Sequence, residues 1–317
     1  MTDVTVAVLG LGAMGLPMAT HLAQDFSVKA FDPFQARRDL AQEVGAQACV
    51  SAAEASKDVD VAVIAVRSAP QVEAVLFGTD GAAKALKQGS VVVVTSTVGA
   101  ECVLDMETRL AALGVGLVDA PVSGGAVRAG DGELLIMLGG SQESLAAARP
   151  VLQALGSHLV DMGECGAGQN MKAVNQLLCG IHTAAAAEAL AMAKTLGLDP
   201  MRCIEVMGTG VAASFMLADR GPRMVEQMEG RTPELRSRLD VILKDMGIVG
   251  SLTRVAQLPT PVASAAENLY RVAKAAGLEA EDDSALAAYL LGQARACGRV
   301  TVLSVPGSCR SQGKIGL

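Results

Sequence analysis

The chain has 317 residues, a formal net charge of −7, no Trp, two Tyr and five Phe. This balance argues against nucleic-acid binding, because a phosphate backbone attracts a basic surface and unpaired bases stack on aromatic side chains. The seven cysteines stand singly without a CxxC pair, which disfavours a disulfide framework or a zinc site. The first residues do not resemble a signal peptide, and the apolar runs end short of the ~18–20 residues of a membrane span, so we expect a cytoplasmic protein with no membrane partner.

Short β-branched runs alternate with helical stretches in the first half of the chain. Strands are predicted over residues 4–9, 28–31, 59–66, 91–95, 116–119, 134–138 and 158–161, and helices over 14–24, 36–44, 70–76, 101–113 and 142–155. Strands that are apolar throughout are typical of a parallel sheet covered on both faces. The alternation therefore predicts an α/β fold, with a doubly wound Rossmann domain over residues 1–163.

The second half of the chain has the composition of a helical domain. Residues 170–196 contain neither Pro nor a strand-like run, and a single helix of that length extends on the order of 40 Å. We expect this long helix to join the Rossmann domain to an all-α domain over residues 164–297. Further helices are predicted over 201–207, 216–228, 238–256, 261–276 and 284–296, and the tail 298–317 is expected to be loosely ordered.

A GxGxxG segment directly follows the first predicted strand and opens a helix. Its residues are Gly10, Leu11, Gly12, Ala13, Met14 and Gly15. In a dinucleotide-binding turn, Gly10 permits the tight turn, Gly12 lets the backbone approach a pyrophosphate, and Gly15 lets helix and strand pack closely. The helix N-terminus then offers unpaired N–H groups to the phosphates. The alternative is a purely structural glycine turn, but the strand–turn–helix context favours cofactor binding.

Asp32 ends the second predicted strand, where a carboxylate can accept hydrogen bonds from the adenosine ribose hydroxyls. The same carboxylate repels the 2′-phosphate of NADP, so NAD is the predicted cofactor. Arg37 and Arg38 keep NADP open as the second choice, because they follow closely in sequence and can pair with that phosphate. In the alternative interpretation they lie in solvent at the start of the next helix.

A Ser-Gly-Gly turn follows the strand 116–119, at the sheet edge where α/β domains bind ligands. Ser123 supplies a hydroxyl, and Gly124 and Gly125 can present backbone N–H groups to a carboxylate. A plain turn is the equally simple alternative.

Lys172 and Asn175 share one face of the predicted long helix. Desolvation at a domain junction makes a lysine amine usable as a proton acceptor near neutral pH, although a single helical lysine is more often a solvated surface residue. Lys244 and Asp245 form a charged pair inside an apolar helix, either as its solvent-facing stripe or as a second part of the site. The sequence shows no Ser–His–Asp or Cys–His arrangement and no clustered metal ligands.

Five motifs, taken in order, resemble those of the β-hydroxyacid dehydrogenase family, which includes 3-hydroxyisobutyrate dehydrogenase and tartronate semialdehyde reductase. They are GLGAMGLPMATHL, TST at residues 95–97, DAPVSGG, GAGQNMKAVNQLL and LKDMGIV. The resemblance spans about residues 4–296. Within the family, the stretches QVEAVLFG, SGGAVRAGDGELLIM, IHTAAAAEAL and SRLDVILKDMGIV are most similar to L-threonate dehydrogenases.

The resemblance implies a role for each matching position. Lys172 would be the catalytic acid/base, Ser123, Gly124 and Gly125 would hold the substrate carboxylate, and Asn175 would orient the substrate. Ser96 would contact the cofactor, and Lys244 would lie near the nicotinamide ribose. Members of the family are commonly dimers or tetramers, so a homo-oligomer is expected.

Two departures from the family pattern bear on the substrate. Arg128 and Glu133 stand where many members carry Gly and Thr, and threonate-type members carry His in place of Asn175. The expected reaction is NAD-dependent oxidation of a small hydroxy acid, with a four-carbon sugar acid such as L-threonate as substrate. The alternatives are a 3-hydroxyisobutyrate dehydrogenase, a tartronate or succinic semialdehyde reductase, and a non-catalytic NAD-binding sensor. Lys172 argues against imine reduction.

Overall fold

The computed structural model of the chain describes residues 4–296, so the predicted tail 298–317 lies outside the described residues. Contacts between residues divide the chain into two compact units. The first comprises the chain up to residue 177 together with 245–258, and the second comprises 178–244 and the chain from 259 onward. The predicted domain limits at residues 163 and 297 remain predictions.

The first unit is built on one twisted sheet. Its strands are β1 (Thr5–Leu9), β2 (Ser27–Phe31), β3 (Gln47–Ala48), β4 (Val61–Ile64), β5 (Val91–Val94), β6 (Gly116–Asp119), β7 (Val122–Ser123), β8 (Leu135–Gly140) and β9 (His158–Gly163). The order across the sheet is β3-β2-β1-β4-β5-β6-β8-β7, with β9 paired to β8. The strands from β3 to β6 are parallel, and this order is that of a Rossmann domain. The predicted α/β fold is confirmed.

Helices cover both faces of this sheet. They are α1 (Gly15–Leu22), α2 (Gln35–Glu43), α3 (Ala52–Ser56), α4 (Ala69–Phe77), α5 (Ala100–Ala111), α6 (Gly125–Asp131) and α7 (Gln142–Leu155). Alternate strand residues enter two separate apolar clusters: Val6 and Val8 belong to one, and Ala7 and Leu9 to the other. Strands β4 and β5 are apolar and buried at every position because both of their faces pack under helices, as the sequence predicted.

One row of paired residues across the parallel strands marks the edge of the sheet at which the candidate site lies. Leu9 is in register with Phe31 and Ile64, Ile64 with Val94, and Val94 with Asp119. Because these strands are parallel and aligned, the residues that follow each of them emerge at the same edge. The glycine turn, Asp32, Ser96 and the Ser-Gly-Gly turn all follow this row in sequence.

The sheet departs from a purely parallel arrangement at β8. Asp119 and Ser123, on β6 and β7, pair antiparallel with Gly139 and Leu135 of β8. The chain leaves β7 through the single short helix α6 and returns beside the same strands. An antiparallel neighbour requires only such a local reversal, whereas a parallel one requires a crossover over a sheet face.

The remaining elements are helices. They are α8 (Ala167–Thr195), α9 (Pro200–Gly208), α10 (Phe215–Met228), α11 (Leu239–Val255), α12 (Pro261–Ala275) and α13 (Ala285–Ala296). The predicted long helix is present as α8, and the helices expected after it are all found with ends shifted by at most one residue. Within the described part of the second unit, the fully buried Tyr270 donates a hydrogen bond from its hydroxyl to the carbonyl of Gly180 at 2.7 Å.

Among the described residues, α8 is long and apolar enough, by length and composition, to cross a membrane, although 44% of its apolar window is buried inside the fold. The apolar runs were expected to end short of a membrane span, and α8 does not meet that expectation, because its many alanines and leucines outweigh its few polar residues. The core helix of a soluble protein meets the same criterion, so the composition alone is weak evidence for a membrane span.

Candidate active site

The glycine turn after β1 has the geometry that its sequence predicts. Gly10 has φ +98°, and a Cβ there would lie 2.7 Å from the carbonyl oxygen of Ala65. A Cβ on Gly15 would lie 1.8 Å from the carbonyl oxygen of Gly10, so only glycine lets α1 pack this closely on the turn. At Gly12 the nearest atom to a Cβ would be a guanidinium nitrogen of Arg37, at 3.4 Å. Gly12 therefore leaves its backbone open to the approach of a ligand.

The N-terminus of α1 faces this opening. Its N-cap residue, Met14, makes no side-chain capping hydrogen bond. Leu16 already donates to the carbonyl of Gly12 at 3.1 Å and Pro17 has no N–H, so an anion here would be met by the N–H groups of the glycine turn and of Gly15. Leu11 is buried and Ala13 is exposed in the same turn. The arrangement suits a pyrophosphate, which takes backbone N–H groups and the positive end of the helix dipole.

Asp32 is 4% exposed and ties the glycine turn to the end of β2. Its carboxylate accepts hydrogen bonds from the backbone N–H of Leu11 at 2.9 Å and of Phe34 at 3.0 Å. A guanidinium nitrogen of Arg37 lies 3.6 Å from the same carboxylate, while Arg38 donates to the carbonyl of Asp32 at 2.6 Å. Both arginines are thus near the strand end, and both already interact with Asp32.

Ser96 lies at the same edge, just past β5, and is 5% exposed. Its hydroxyl accepts a hydrogen bond from the N–H of Val66 at 3.0 Å and contacts the carbonyl of Ile64 at 3.3 Å. The side chain therefore fastens the loop after β4 to the loop after β5. Any contact of Ser96 with a cofactor would come in addition to these bonds.

The Ser-Gly-Gly turn connects β7 to α6. Ser123 is half-buried, and Gly124 and Gly125 are exposed, with φ +141° and +75°. A Cβ on Gly124 would lie 2.9 Å from Cδ of Arg128, so the turn needs glycine for both conformation and space. Arg128 and Glu133, which stand where many family members carry Gly and Thr, are both exposed.

Lys172 is 7% exposed, one turn inside the N-terminus of α8. The half-buried Asn175 donates a hydrogen bond from its side-chain amide to Oε1 of Gln176 at 3.0 Å. Gln176 in turn donates to a carboxylate oxygen of Asp245 at 2.6 Å, and Asp245 is 5% exposed. Asn175 was predicted as a site residue, whereas Gln176, which lies four residues after Lys172 on the adjacent helical turn, was not.

Asp119 and Gln169 were also not predicted to have a role in the site. The Asp119 carboxylate, fully buried at the end of β6, accepts hydrogen bonds from the backbone N–H of Gln169 at 2.9 Å and from its side-chain amide at 2.9 Å. Burial raises the pKa of Asp119 to about 6, against the lowering effect of the bonds from Gln169. The available signals were the Asp of DAPVSGG and the Gln of GAGQ, which stand fifty residues apart.

The structure brings together most of the predicted site residues within the first unit. The glycine turn, Asp32, Ser96 and the Ser-Gly-Gly turn lie at one sheet edge, and Asp119 joins this edge to the helix that carries Lys172. Lys244 is half-buried on α11 and belongs to the second unit. Among residues 4–296, no group of three or more His, Cys, Asp or Glu side chains is placed to hold a metal ion.

Two family models cover almost all of the described chain. Residues 5–165 match the NAD binding domain of 6-phosphogluconate dehydrogenase, and residues 166–290 match the NAD-binding domain of NADP-dependent 3-hydroxyisobutyrate dehydrogenase. The chain belongs to the 3-hydroxyisobutyrate dehydrogenase-like family of β-hydroxyacid dehydrogenases. The resemblance noted from its motifs is thereby confirmed.

Relatives of this dehydrogenase align with it over nearly their whole length. The L-threonate dehydrogenase of Cupriavidus necator is 38% identical over 89% of this chain and 94% of that protein. The L-threonate dehydrogenase of Haemophilus influenzae is 35% identical over 89% and 93%. A solved structure of 3-hydroxyisobutyrate dehydrogenase from Salmonella typhimurium is 37% identical, with a TM-score of 0.83, and covers 90% of this chain and 99% of that one.

The family membership establishes the chemistry that the site serves. This protein is an NAD(P)-dependent hydroxyacid oxidoreductase, which acts on a small carboxylate substrate with a nicotinamide cofactor. The N-terminal family model contains the glycine turn, Asp32, Ser96 and the Ser-Gly-Gly turn. The C-terminal model contains Lys172, Asn175 and Lys244.

Proposed function

We propose that this dehydrogenase oxidises a hydroxyl group of a four-carbon sugar acid, with L-threonate as the leading candidate, and that Lys172 moves the proton. The observation that carries the proposal is a lysine only 7% exposed, on a helix whose first turn is bonded to the end of β6. Burial weakens the hydration of the charged ammonium form, which makes a lysine amine available as a proton acceptor for a hydroxyl placed beside it. The choice of L-threonate rests on the relatives of that name, which are 35–38% identical over 89% of the chain.

The residues at the sheet edge fit a nicotinamide dinucleotide. The open backbone at Gly12 and the uncapped N-terminus of α1 suit the pyrophosphate, with Leu11, Ala13 and Met14 completing the turn. Asp32 suits the ribose hydroxyls. We propose NAD rather than NADP because the buried Asp32 carboxylate repels a 2′-phosphate, and because Arg37 and Arg38 are both drawn to Asp32 itself. Ser96 and Lys244 are proposed as further cofactor contacts on the family resemblance.

When bound, NAD supplies the hydride acceptor, so the protein must hold the substrate and manage one proton. We propose that the hydroxyl of Ser123 and the backbone N–H groups of Gly124 and Gly125 hold the substrate carboxylate. Lys172 then takes the proton of the reacting hydroxyl at Nζ, and Asn175, fixed by its bond to Gln176, orients the substrate. In the reverse direction the protonated Lys172 returns the proton to the carbonyl oxygen.

The test is NADH formation against a panel of L-threonate, D-threonate, D-erythronate, D-glycerate and 3-hydroxyisobutyrate, with NADP in parallel. We expect one four-carbon acid to be turned over with NAD, and Lys172→Ala to lose about 100-fold or more in kcat while still binding NADH. Lys194→Ala, near the end of the same helix, is the matched control and should retain wild-type rates. Full activity in Lys172→Ala would contradict the assignment of the proton to this residue.

The same panel separates the alternative substrates. Strong turnover of 3-hydroxyisobutyrate, or reduction of tartronate or succinic semialdehyde with NADH, would move the enzyme to another branch of the family with the same mechanism. Arg128 and Glu133 favour the polyhydroxylated acids, because they follow the turn proposed to hold the carboxylate and bring hydrogen-bonding groups where many relatives carry Gly and Thr. NADH binding without turnover of any acid would support the non-catalytic sensor.

We also propose that the protein works in the cytoplasm as a homo-oligomer, a dimer or a tetramer. Support for self-association comes from the second unit, in which several large apolar side chains are exposed. Among them are Val206, Val211 and Phe215, with Phe215 65% exposed. Exposed apolar surface of this kind is typically covered in an assembly.

A further inference from the structure

Gln169 makes an unusually complete set of hydrogen bonds with one side chain. Its Oε1 accepts from the backbone N–H of Val98 at 2.9 Å and of Gly99 at 3.0 Å. Its Nε2 donates to the carbonyl of Ser96 at 3.0 Å and to a carboxylate oxygen of Asp119 at 2.9 Å. Gln169, Ser96 and Asp119 are buried, whereas Val98 and Gly99 are half-buried, so the two bonds donated by Nε2 are the ones best shielded from water.

These bonds join three segments of the first unit that each lead to a proposed functional residue. The loop 96–99 contains Ser96, β6 leads into the Ser-Gly-Gly turn, and α8 carries Lys172 one turn after Gln169. We propose that Gln169 is a positioning residue, which sets the loop beside the cofactor, the end of β6 and the amine of Lys172 in their working arrangement. This inference rests on the proposed function, and Gln169 itself is not assigned any contact with the reacting atoms.

The chemistry of the site requires an amide at this position. Two backbone donors face one end of the side chain, while a carbonyl and a carboxylate face the other. An amide matches this pattern in one orientation, because it has an acceptor at one end and a donor at the other. Removing the side chain would leave the N–H groups of Val98 and Gly99 and the buried Asp119 carboxylate without these partners, which destabilises their arrangement.

The charged surroundings make glutamate the informative replacement. Gln169→Glu keeps the shape and the acceptor oxygen, but it places a second carboxyl group against Asp119, whose pKa burial already raises to about 6. The other ionisable groups nearby are the Cys165 thiol, Glu107 on α5, and Lys172 one turn along α8. Two carboxyl groups in contact share a proton, so the variant can donate to Asp119 only while that proton is bound.

The variant should therefore be pH-dependent in a way that the wild type is not. At about pH 6 the shared proton restores the bond to Asp119, whereas at about pH 8 both groups ionise and repel each other. Measured as the ratio of variant to wild-type kcat at each pH, we expect Gln169→Glu to be about tenfold impaired at the lower pH and about a hundredfold at the higher. The KM for the hydroxy acid should change less than kcat, because Gln169 is not proposed to touch the substrate.

The matched control is Asn170→Asp. It introduces the same charge one residue further along α8, at an exposed position, and should keep a constant ratio to wild type across the pH range. A ratio for Gln169→Glu that stays near one, or that does not change with pH, would overturn the positioning role. Gln169→Ala, checked for folding by its melting temperature, should be impaired to a similar degree at every pH.

NADH affinity, followed by fluorescence, separates this proposal from the proposed function. The loop 96–99 is fastened by Gln169, so we expect Gln169→Glu to bind NADH about tenfold more weakly at the higher pH and to recover at the lower. If the wild type turns over none of the acids, the proposed function fails, and the affinity profile still tests Gln169. An affinity equal to that of wild type at both pH values would contradict the positioning role whatever the substrate proves to be.

Discussion

The backbone at Gly15 leaves no space for a side chain. Replacement by Ala would place Cβ 1.8 Å from a backbone oxygen of Gly10, so the turn and α1 must move apart. We expect Gly15→Ala to lower the free energy of unfolding by about 1–3 kcal/mol and to abolish NADH binding. Thermal denaturation and NADH fluorescence measure the two effects.

Gly12→Ala is the matched control for that experiment. Its Cβ would approach only the flexible end of Arg37, at 3.4 Å. The variant should melt within about 2 °C of wild type, because surface changes of this kind alter stability little, while its affinity for NADH falls. If the Gly15→Ala protein is as stable as the Gly12→Ala protein, the close packing of α1 on the turn does not depend on glycine at residue 15.

Asp32 is the residue that we propose to select between the two nicotinamide cofactors. Its carboxylate is buried and, on that proposal, repels a second anion at the ribose position. Asp32→Ser should raise the ratio of kcat/KM for NADP to that for NAD by about tenfold or more, since it removes this charge while Arg37 remains 45% exposed nearby. Asp39→Ser removes the same charge from an exposed position on α2 and should leave the ratio unchanged. An unchanged ratio in Asp32→Ser would show that another residue determines the selectivity between NAD and NADP.

At the scale of elements, a buried cluster of charges fastens α10 to the start of α13 within the second unit. Arg223 donates to Asp282 at 3.1 Å, and Asp282 also accepts from the backbone N–H of Arg236 at 2.9 Å and of Ser237 at 3.1 Å. The neighbouring Asp283 donates its backbone N–H to the carbonyl of Ser237 at 2.7 Å. The cluster therefore holds the segment that leads into α11.

Asp283 makes this cluster sensitive to pH. Burial raises its pKa to about 6, with Asp282 adding to the effect and Arg220 and Arg223 opposing it. Tyr270 and Ser237 are the other groups that face it. Because the pKa in the folded state is above the unfolded value of 3.8, the protonated form stabilises the fold, and this contribution is lost as the pH rises through about 6.

We expect the free energy of unfolding to fall between about pH 4 and pH 7, by about 1–3 kcal/mol, and Asp283→Asn to flatten that dependence. An asparagine stays neutral throughout the range, as the protonated aspartic acid is at its lower end. Urea denaturation at several pH values measures the slope, with Asp240→Asn as the matched variant on the neighbouring helix α11. Equal slopes for Asp283→Asn and the wild type would show that Asp283 does not titrate in this range.

At the scale of the whole molecule, the exposed apolar side chains of the second unit predict self-association. Sedimentation at micromolar concentration should give a dimer or tetramer mass for the wild type. Phe215→Lys should shift the distribution towards the monomer, because it places a charge on a side chain that is 65% exposed in the single chain. Val50→Lys alters a 77% exposed side chain of the first unit and serves as the control. A wild-type monomer would contradict the prediction.

The sequence alone determined the features that depend on local spacing. They are the three glycines of the first turn, the acid at the end of β2 and the uniformly apolar strands β4 and β5, and the structure contains all of them. Each reflects a requirement for backbone conformation or burial that neighbouring residues in the sequence satisfy. The long helix α8 was found because helical composition without Pro is also a local property.

Tertiary structure alone decided the direction of β8 and the partners of Gln169. The turn through α6 determines that β8 returns antiparallel, and no sequence pattern within the strand predicts that direction. The bond between Asp119 and Gln169 joins residues fifty apart, and the bond from Gln169 to Val98 joins residues seventy-one apart. A hydrogen bond depends on where the folded chain brings its donor and acceptor together. The residue types by themselves therefore show only that such a bond can form, and the packing of the sheet against α8 decides that it does.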